Sequence, residues 1–466
     1  MHQGSEASIE TIRESARDVP IVADVDLCVV GGSTTGLFAA VAAARLGARV
    51  ALVERLGYFG GSATASLVCV WHSRMDTSFE RVIVGGLPIE LMDRLASRDA
   101  VTVSEQNVSM EFIFSPAEMI LELDRMVEEA GSASGGGIRP FLHTQFVAAA
   151  TDEDGRPCAA IIEDKTGRRA IKARVFVDAS GDADLAHRIG LPTYKRDAPQ
   201  PPTTCALFQG LRRLRSERPD FSLNRVVFDP QYPEALRPGF LWTADLPSGD
   251  LTMVAGTRIH GADCSDADER TRAEIEGRRQ VRAMLDLVRR HVPGGEAVTL
   301  QGLPSRIGIR ETRHVRCRHR LTEDEVLGGK RFPDAVANGS YRVDVHAAEG
   351  DGLTFRYLDG REVTALADGS HIEGRWREPQ EDSPTFYQVP YRSLVPRGAT
   401  NVLVAGRCID ADEGAFGGVR VMINTAQMGE AAGVAAWLAV ERRCDVGDVD
   451  AQELRGLLAE QGAVVI

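Results

Sequence analysis

The segment DLCVVGGSTTGLFAAVAAARLGARVALVER, residues 26–55, constrains the fold of this chain more than any other stretch. Four apolar residues, Leu27 to Val30, run into Gly31-Gly32, and a long small-residue segment follows as far as Gly47. That order predicts a strand, a tight turn and a helix. A second apolar run, Val50 to Val53, ends at Glu54, which puts a carboxylate where it can accept hydrogen bonds from the hydroxyls of a ribose. Together these make a βαβ unit of the dinucleotide-binding kind. Gly31 serves the turn, position 33 the close approach of a pyrophosphate, and Gly36 the contact of helix with strand. Ser33 departs from the glycine of the usual fingerprint. It adds only a small side chain, and a phosphate there still faces helix N-terminal amides, whose dipoles favour an anion. For this segment alone, a βαβ crossover that holds no phosphate is the plain alternative.

At 466 residues, with 43% hydrophobic and 26% charged residues, the chain has the composition of a soluble protein of two or more domains. Its formal charge of −13, without a long basic run, argues against nucleic acid and anionic membrane as partners. The first twenty residues are polar and mixed in charge, unlike a signal or transit peptide, and are expected to form a flexible arm. No uncharged run approaches the ~20 residues of a spanning helix, so a cytoplasmic location is expected. Eight cysteines are scattered without a C-x-x-C or other close pair. That spacing speaks against iron–sulfur, zinc and redox-disulfide motifs, and no metal is expected.

Further along, SPAEMILELDRMVEEAG predicts a helix with Ser115 as N-cap, Pro116 as first residue and Gly131 at its end. RPFLHTQFVAAA reads as a strand, followed by hairpin turns at Asp154-Gly155 and Thr166-Gly167. RVFVDASGDADLAHRIG then gives strand, turn at Gly181 and helix. From Pro199 to Pro396 the texture is polar and punctuated by Pro and Gly, with one charged helix over 266–291. The expected fold class is α/β. A Rossmann-like domain, discontinuous over 21–80, 112–198 and 397–445, accompanies a second, mixed α+β substrate domain of residues 81–111 and 199–396, and 446–466 form a C-terminal tail.

Taken in order, the fingerprint, GYFGGSATAS, DASGDADLA, SRIGIRETR, LTEDEVLGGKRFPDAVANGSYRVDVH, FYQVPYRSLVP and VLVAGRCIDADEGAFGGVRVMINTAQMGEAAG resemble one family. It is that of the FAD-dependent oxidoreductases with the glutathione-reductase-type nucleotide fold. The resemblance spans nearly the whole chain after residue 20 and implies FAD as cofactor. It implies that Gly31, Gly32, Ser33, Thr35 and Gly36 hold the pyrophosphate, and that Glu54 and Arg55 hold the adenosine ribose. Gly60, Gly61, Ser62, Ala63 and Thr64 form a loop under the pyrophosphate and flavin. Val147 or Phe146 offers its backbone to the adenine, and Ala179, Ser180 and Gly181 close the same region. Gly406 and Arg407 approach the ribityl chain. Gly418, Val419 and Val421 lead into a helix whose N-terminal amides face the pyrimidine end of the flavin.

Chemistry beyond the cofactor is read from alternation and charge. If YRVDVH is a strand, Arg342, Asp344 and His346 share one face and Tyr341, Val343 and Val345 the other. A carboxylate beside an imidazole orients it and keeps it basic, as a proton-abstracting group needs; a solvated strand face is the plainer reading. The same logic aligns Arg306, Gly308 and Arg310, two cations that can clamp a carboxylate or pair with Glu311. His72 follows the flavin-proximal loop, whereas Tyr387 and Tyr391 read as packing. The candidate catalytic set is therefore His346, Arg310, Asp344 and His72. The reaction expected is dehydrogenation of a small organic substrate by hydride transfer to flavin N5, with oxygen or another carrier as acceptor and a homodimer possible. An NAD(P)H-using flavin monooxygenase or halogenase is the alternative, because DASGDADLAHRIGL echoes the Gly-Asp motif of the aromatic hydroxylases, and a non-catalytic FAD-binding protein is the alternative of another class.

Overall fold

The computed structural model describes every residue except 1–9, 105, 108, 132–134, 347–352 and 367–368. Residues 10–20 have no regular secondary structure and are largely exposed. The chain then builds the first domain from β1 (Ile21–Val30), α1 (Thr34–Arg45), β2 (Arg49–Val53), α2 (Pro116–Glu129), β3 (Gly137–Phe141), β4 (Gln145–Thr151), β5 (Pro157–Asp164), β6 (Gly167–Asp178), β7 (Val402–Val404) and α3 (Met422–Arg442). These strands form one seven-stranded sheet in the order β3-β2-β1-β6-β5-β4, with β7 also paired to β6. β6 divides its outer edge: Gly167–Lys172 pair antiparallel with β5, and Phe176–Asp178 pair parallel with β7. Along its other edge runs β1, parallel.

The division of β6 has a direct consequence for function. The carboxyl ends of the parallel strands β2, β1, β6 and β7 meet at one edge, where ligands bind in open α/β sheets. Gly31 N donates to Val53 O (2.8 Å), Ala179 N to Val30 O (2.9 Å) and Ala405 N to Asp178 O (3.0 Å). Three turns far apart in sequence are thereby laid side by side. On one face of the sheet, α1 is buried along its length and packs on α3. The helices approach so closely that a Cβ on Gly433 would lie 2.1 Å from Ala39 O.

RPFLHTQFVAAA is not one strand. It breaks at Leu142–Thr144, with His143 at φ +50°, because β3 continues the parallel sheet beside β2 while β4 must turn back into a hairpin with β5. The hairpin turns at Gly155 (φ +78°) and Gly167 (φ +103°) stand where the sequence places them. So do Ser115 as cap of α2 and the long helix Ala267–His291, capped by Asp266.

In the second domain, the strands Trp242–Asp245, Leu251–Ala255, Ala206–Gln209 and Thr299–Gly302 form an antiparallel sheet. Ala267–His291 covers it through Val281, Met284, Leu285 and Val288. A separate antiparallel meander runs Val343–His346, Leu353–Arg356, Arg361–Ala365 and His371–Arg375. The helix Leu87–Ala96 packs on α2 and α3, and the C-terminal helix Ala451–Glu460 packs on α3. The chain end is tied down too, since Ile466 O accepts from Gln388 Nε2 at 3.0 Å.

Candidate active site

A crevice runs along the carboxyl edge of the sheet. Gly31, Ser33, Glu54, Arg55, Gly61, Ala179 and Ser180 line one part of it, and Thr35, Gly60, Ser62, Gly181, Gly406 and Arg407 line the next, with Arg306 common to both. The glycines are there for space. Gly31 has φ +104°, and a Cβ on it would lie 2.4 Å from Ala179 O; one on Gly36 would lie 1.8 Å from Gly31 O. Gly32, Gly36, Ala63 and Thr64 stand behind the surface: Gly32 N donates to Glu54 Oε2 (2.7 Å), and Thr64 Oγ1 donates to Phe59 O (2.7 Å). Phe146 reaches the crevice, and Val147 occupies a β-bulge where the ladder skips from Phe146 to Ala148. A bulged residue is left out of the ladder. Gly418 and Val419 are buried inside a short helix, Glu413–Val419, and line neither crevice nor cavity; Val421, after it, does line the cavity.

Asp178 holds the turn from below. Its carboxylate accepts from Ser180 N (3.1 Å), Ser180 Oγ (2.6 Å) and Ala186 N (2.9 Å), and burial pushes its pKa up to about 6. At the crevice itself Arg55, Arg306 and Arg407 gather round one buried carboxylate, Asp182. Burial raises the Asp182 pKa, but Arg407, Arg55 and Arg306 together bring it down to about 2. Arg407 Nη2 donates to Asp182 Oδ1 at 2.9 Å. Even so, Arg55 Nη2, Arg306 Nε and Arg407 Nη1 are buried without a hydrogen-bond partner. Each such donor costs ~1–3 kcal/mol if left unpaired. A dinucleotide supplies the acceptors these donors lack, so the glycine cradle and the arginines fit FAD.

The crevice opens into a cavity of about 230 Å³, with Ser62, Arg407, Arg420 and Met422 forming part of both. His72, Arg310, Asp344 and His346, far apart in sequence, all line this cavity. His346 Nε2 lies 3.2 Å from Asp344 Oδ1, and Arg258 Nη2 lies 3.1 Å from His346 Nδ1. A guanidinium only donates, so Nδ1 accepts and the imidazole proton is on Nε2, towards Asp344. Burial, then Arg310, Arg258 and Arg420, hold the His346 pKa well below its usual value, and the ring is neutral at neutral pH. Burial, then Arg342 and Arg420, lower His72 to about 3. His72 stacks on Tyr341 with ring centroids 4.0 Å apart, and its Nδ1 has no partner.

Two alternation arguments fail here. Tyr341, assigned to the far face, lines the same cavity as Arg342 and donates to Asp344 Oδ2 at 2.8 Å. The strand starts only at Val343, and period two has no force before it. Arg306 and Arg310 do not form one clamp: Arg306 lines the crevice and Arg310 the cavity, because Gly308 between them is tied to Thr203 at the junction. Tyr387 and Tyr391 are buried posts that donate to Gly418 O and Val446 O. Cys69 and Cys205 come close enough to interact, which chain spacing does not reveal. Burial raises both thiols, Cys205 to about 12, so neither is a ready thiolate. The residues that sequence reasoning missed are Arg258, Gln200 and Arg420. Gln200 Oε1 accepts from His346 N and Arg420 Nη2, each at 3.3 Å. Only Arg420 carries a signal in the sequence, its place just before the N-terminus of α3.

Residues 26–458 match the family described as FAD dependent oxidoreductase. The chain belongs to that family. It is an enzyme family, and FAD is its cofactor. No curated protein matches the chain significantly. Among solved structures, similar ones include a geranylgeranyl bacteriochlorophyll reductase-like protein from Thermoplasma acidophilum, 12% identical over 94% of this chain and 84% of that one, with a TM-score of 0.46. A myxobacterial chondrochloren halogenase (13% identity, 94% and 80% coverage, TM-score 0.41) and p-nitrophenol 4-monooxygenase from Pseudomonas putida (11%, 94% and 84%, 0.41) are others. Likeness at that level does not distinguish one flavin reaction from another. No helix among the described residues is long and apolar enough to cross a membrane.

Proposed function

We propose that this flavoprotein dehydrogenates a small organic substrate held in the cavity beside the crevice, and that its nucleotide fold is of the glutathione-reductase type. The observation that carries the reading is the His346–Asp344 pair on a cavity continuous with the crevice through Ser62, Arg407, Arg420 and Met422. Bound FAD supplies two-electron acceptance at flavin N5. The chain's share is to position the substrate and take its proton. With Nε2 already protonated, His346 Nδ1 is the atom for that proton, and to take it the ring must give up the hydrogen bond that Nδ1 accepts from Arg258 Nη2. Asp344, fixed by Tyr341 OH, steadies the ring and balances the imidazolium once it forms.

The source of electrons is the organic substrate. In support, all the sheets outside the first domain are antiparallel among the described residues, and the sequence has one glycine fingerprint, so a second βαβ unit for a nicotinamide dinucleotide is missing from the described fold. The monooxygenase reading rests on the Gly181-Asp182 echo. Anaerobic mixing of the oxidised holoenzyme with a metabolite panel decides between them. An organic reductant should bleach the flavin, and His346→Ala should slow bleaching about a hundredfold or more with the oxidised spectrum unchanged. Rapid bleaching by NADPH alone, followed by oxygen-dependent hydroxylation, overturns the proposal.

A further inference from the structure

Among the described residues the cavity has an unbalanced charge: Arg310 and Arg420 line it together with a single carboxylate, Asp344, and Arg258 stands close enough to act on Arg310 and Asp344. Asp344 Oδ2 accepts from Tyr341 OH, while Oδ1 lies 3.2 Å from His346 Nε2 and 3.5 Å from Arg420 Nη2 without a hydrogen bond to either. Arg310 Nη1 donates only to neutral oxygens, the Pro201 carbonyl and the Thr203 hydroxyl. Among the described residues neither Arg310 nor the neighbouring Arg342 has an ion pair, and Arg342 donates to the Ser109 hydroxyl. Enclosed guanidiniums without a counter-charge are costly, and the cost falls when an anion arrives.

Much of the remaining wall is apolar, with Val68, Met110, Phe240, Trp242, Leu353 and Phe355, beside the hydroxyls of Ser62, Ser109, Thr203 and Tyr341. The volume of about 230 Å³ exceeds the ~150 Å³ of a cavity that takes benzene. FAD bound in the crevice would share that volume at Ser62, Arg407, Arg420 and Met422, which leaves the end lined by Phe240, Trp242 and Phe355 for a small apolar body. Unpartnered donors or acceptors at His72 Nδ1, Arg342 Nε and Arg420 Nε await a polar ligand at the same walls.

We infer that the cavity takes a small monocarboxylic acid with an apolar body, its carboxylate on Arg310 and its body against Phe240, Trp242 and Phe355. The inference rests on the reading of this cavity as the substrate site. It adds a coupling: the substrate carboxylate cancels part of the positive field on His346, so an acid makes its own base stronger while a neutral analogue does not.

The test uses the holoenzyme with benzoate and its neutral isostere benzamide, measured by titration calorimetry and by ligand-induced change in Tm. Benzoate should bind at least about tenfold more tightly than benzamide, since a charge-assisted hydrogen bond is at stake, and should raise Tm. Arg310→Met should lose about that factor for benzoate and leave benzamide unchanged, and Arg310→Lys should recover part of it. Equal binding of the two probes, binding of neither, or full benzoate affinity in Arg310→Met overturns the inference. Equal competition by inorganic phosphate overturns the apolar half of it. The wild-type comparison stands if the variants do not fold. Failure here with His346-dependent bleaching intact removes only the substrate class, whereas failure of bleaching by every organic reductant removes the dehydrogenase reading.

Discussion

A methyl group at position 36 would sit 1.8 Å from the carbonyl oxygen of Gly31, where ordinary contact begins near 3.4 Å. The second-nearest neighbour, Ala179 Cβ, is 3.0 Å away, so the methyl cannot escape sideways. Gly36→Ala must therefore push the start of α1 away from the β1 turn by ~1.5 Å, and core overpacking of that kind costs ~1–3 kcal/mol. The larger effect falls on the cofactor. The amides at the start of α1 are the anion-binding groups of the fingerprint, and a displacement of that size takes an N–H beyond hydrogen-bonding reach. Loss of two charge-assisted bonds at ~1.5 kcal/mol each weakens FAD binding about a hundredfold. The measurement is flavin per chain after gel filtration, with Kd from flavin fluorescence and folding of the apoprotein followed by circular dichroism. Gly36→Val, with a β-branched side chain, should abolish binding. A folded Gly36→Ala protein with wild-type Kd would refute the argument, because it would mean that the cofactor does not lie on this helix.

Other outcomes follow from the same geometry. Because the His346 pKa is depressed, the ring is already neutral at pH 6.5, and the acid limb of kcat/KM should fall below that pH; a limb centred above pH 7 would assign the base elsewhere. Glu430 lies buried against Leu87 N (3.3 Å), and burial pushes its pKa up to about 8. Its folded pKa exceeds the unfolded one, so its protonated form favours folding at low pH and stability falls from pH 4.5 through pH 8 by at most ~5 kcal/mol. Glu430→Gln should flatten that fall and raise Tm at pH 8, and parallel Tm curves for the two proteins would count against it. A Cβ on Gly417 would lie 2.7 Å from Asp344 O, so Gly417→Ala should displace Asp344, raise the KM for substrate and leave FAD stoichiometry at one per chain.

The two halves of the molecule were legible to different degrees, for a physical reason. The crevice depends on backbone conformation at places where only certain residues fit. Gly31, Gly36 and the Gly60-Gly61 pair leave a trace in sequence because a Cβ at each meets an atom closer than 3 Å. Convergence of Ala179–Gly181 and Gly406–Arg407 on the same edge follows once β6 is known to run beside both β1 and β7. The break at His143 was not legible, since nothing in RPFLHTQFVAAA marks where a parallel strand hands over to a hairpin. Gly418 and Val419 do not lead into the helix at Met422 but end a separate short one, Glu413–Val419, which Asp412 caps and which stops before Arg420.

The cavity, by contrast, is assembled from side chains whose meaning depends on where distant segments meet. Arg258, Arg310 and Arg420 are three among 54 lysines and arginines; Arg310 shares an alternating face with Arg306 and Arg420 precedes a helix, but nothing local marks Arg258 or says that the three meet. They become chemically distinct only when the end of the Leu251–Ala255 strand, the Gly308–Thr203 junction and the start of α3 converge on His346. Their convergence changes what the imidazole is. In isolation the Asp344–His346 spacing suggests a carboxylate that keeps a histidine basic. Inside the cavity the guanidiniums outweigh that carboxylate and make the ring a weak base until negative charge enters. Selectivity for an acid and activation of the base are then one electrostatic property of the site, and removing Arg310 should act in opposite directions on the two: weaker binding of the carboxylate, and a His346 that is more basic in the empty enzyme.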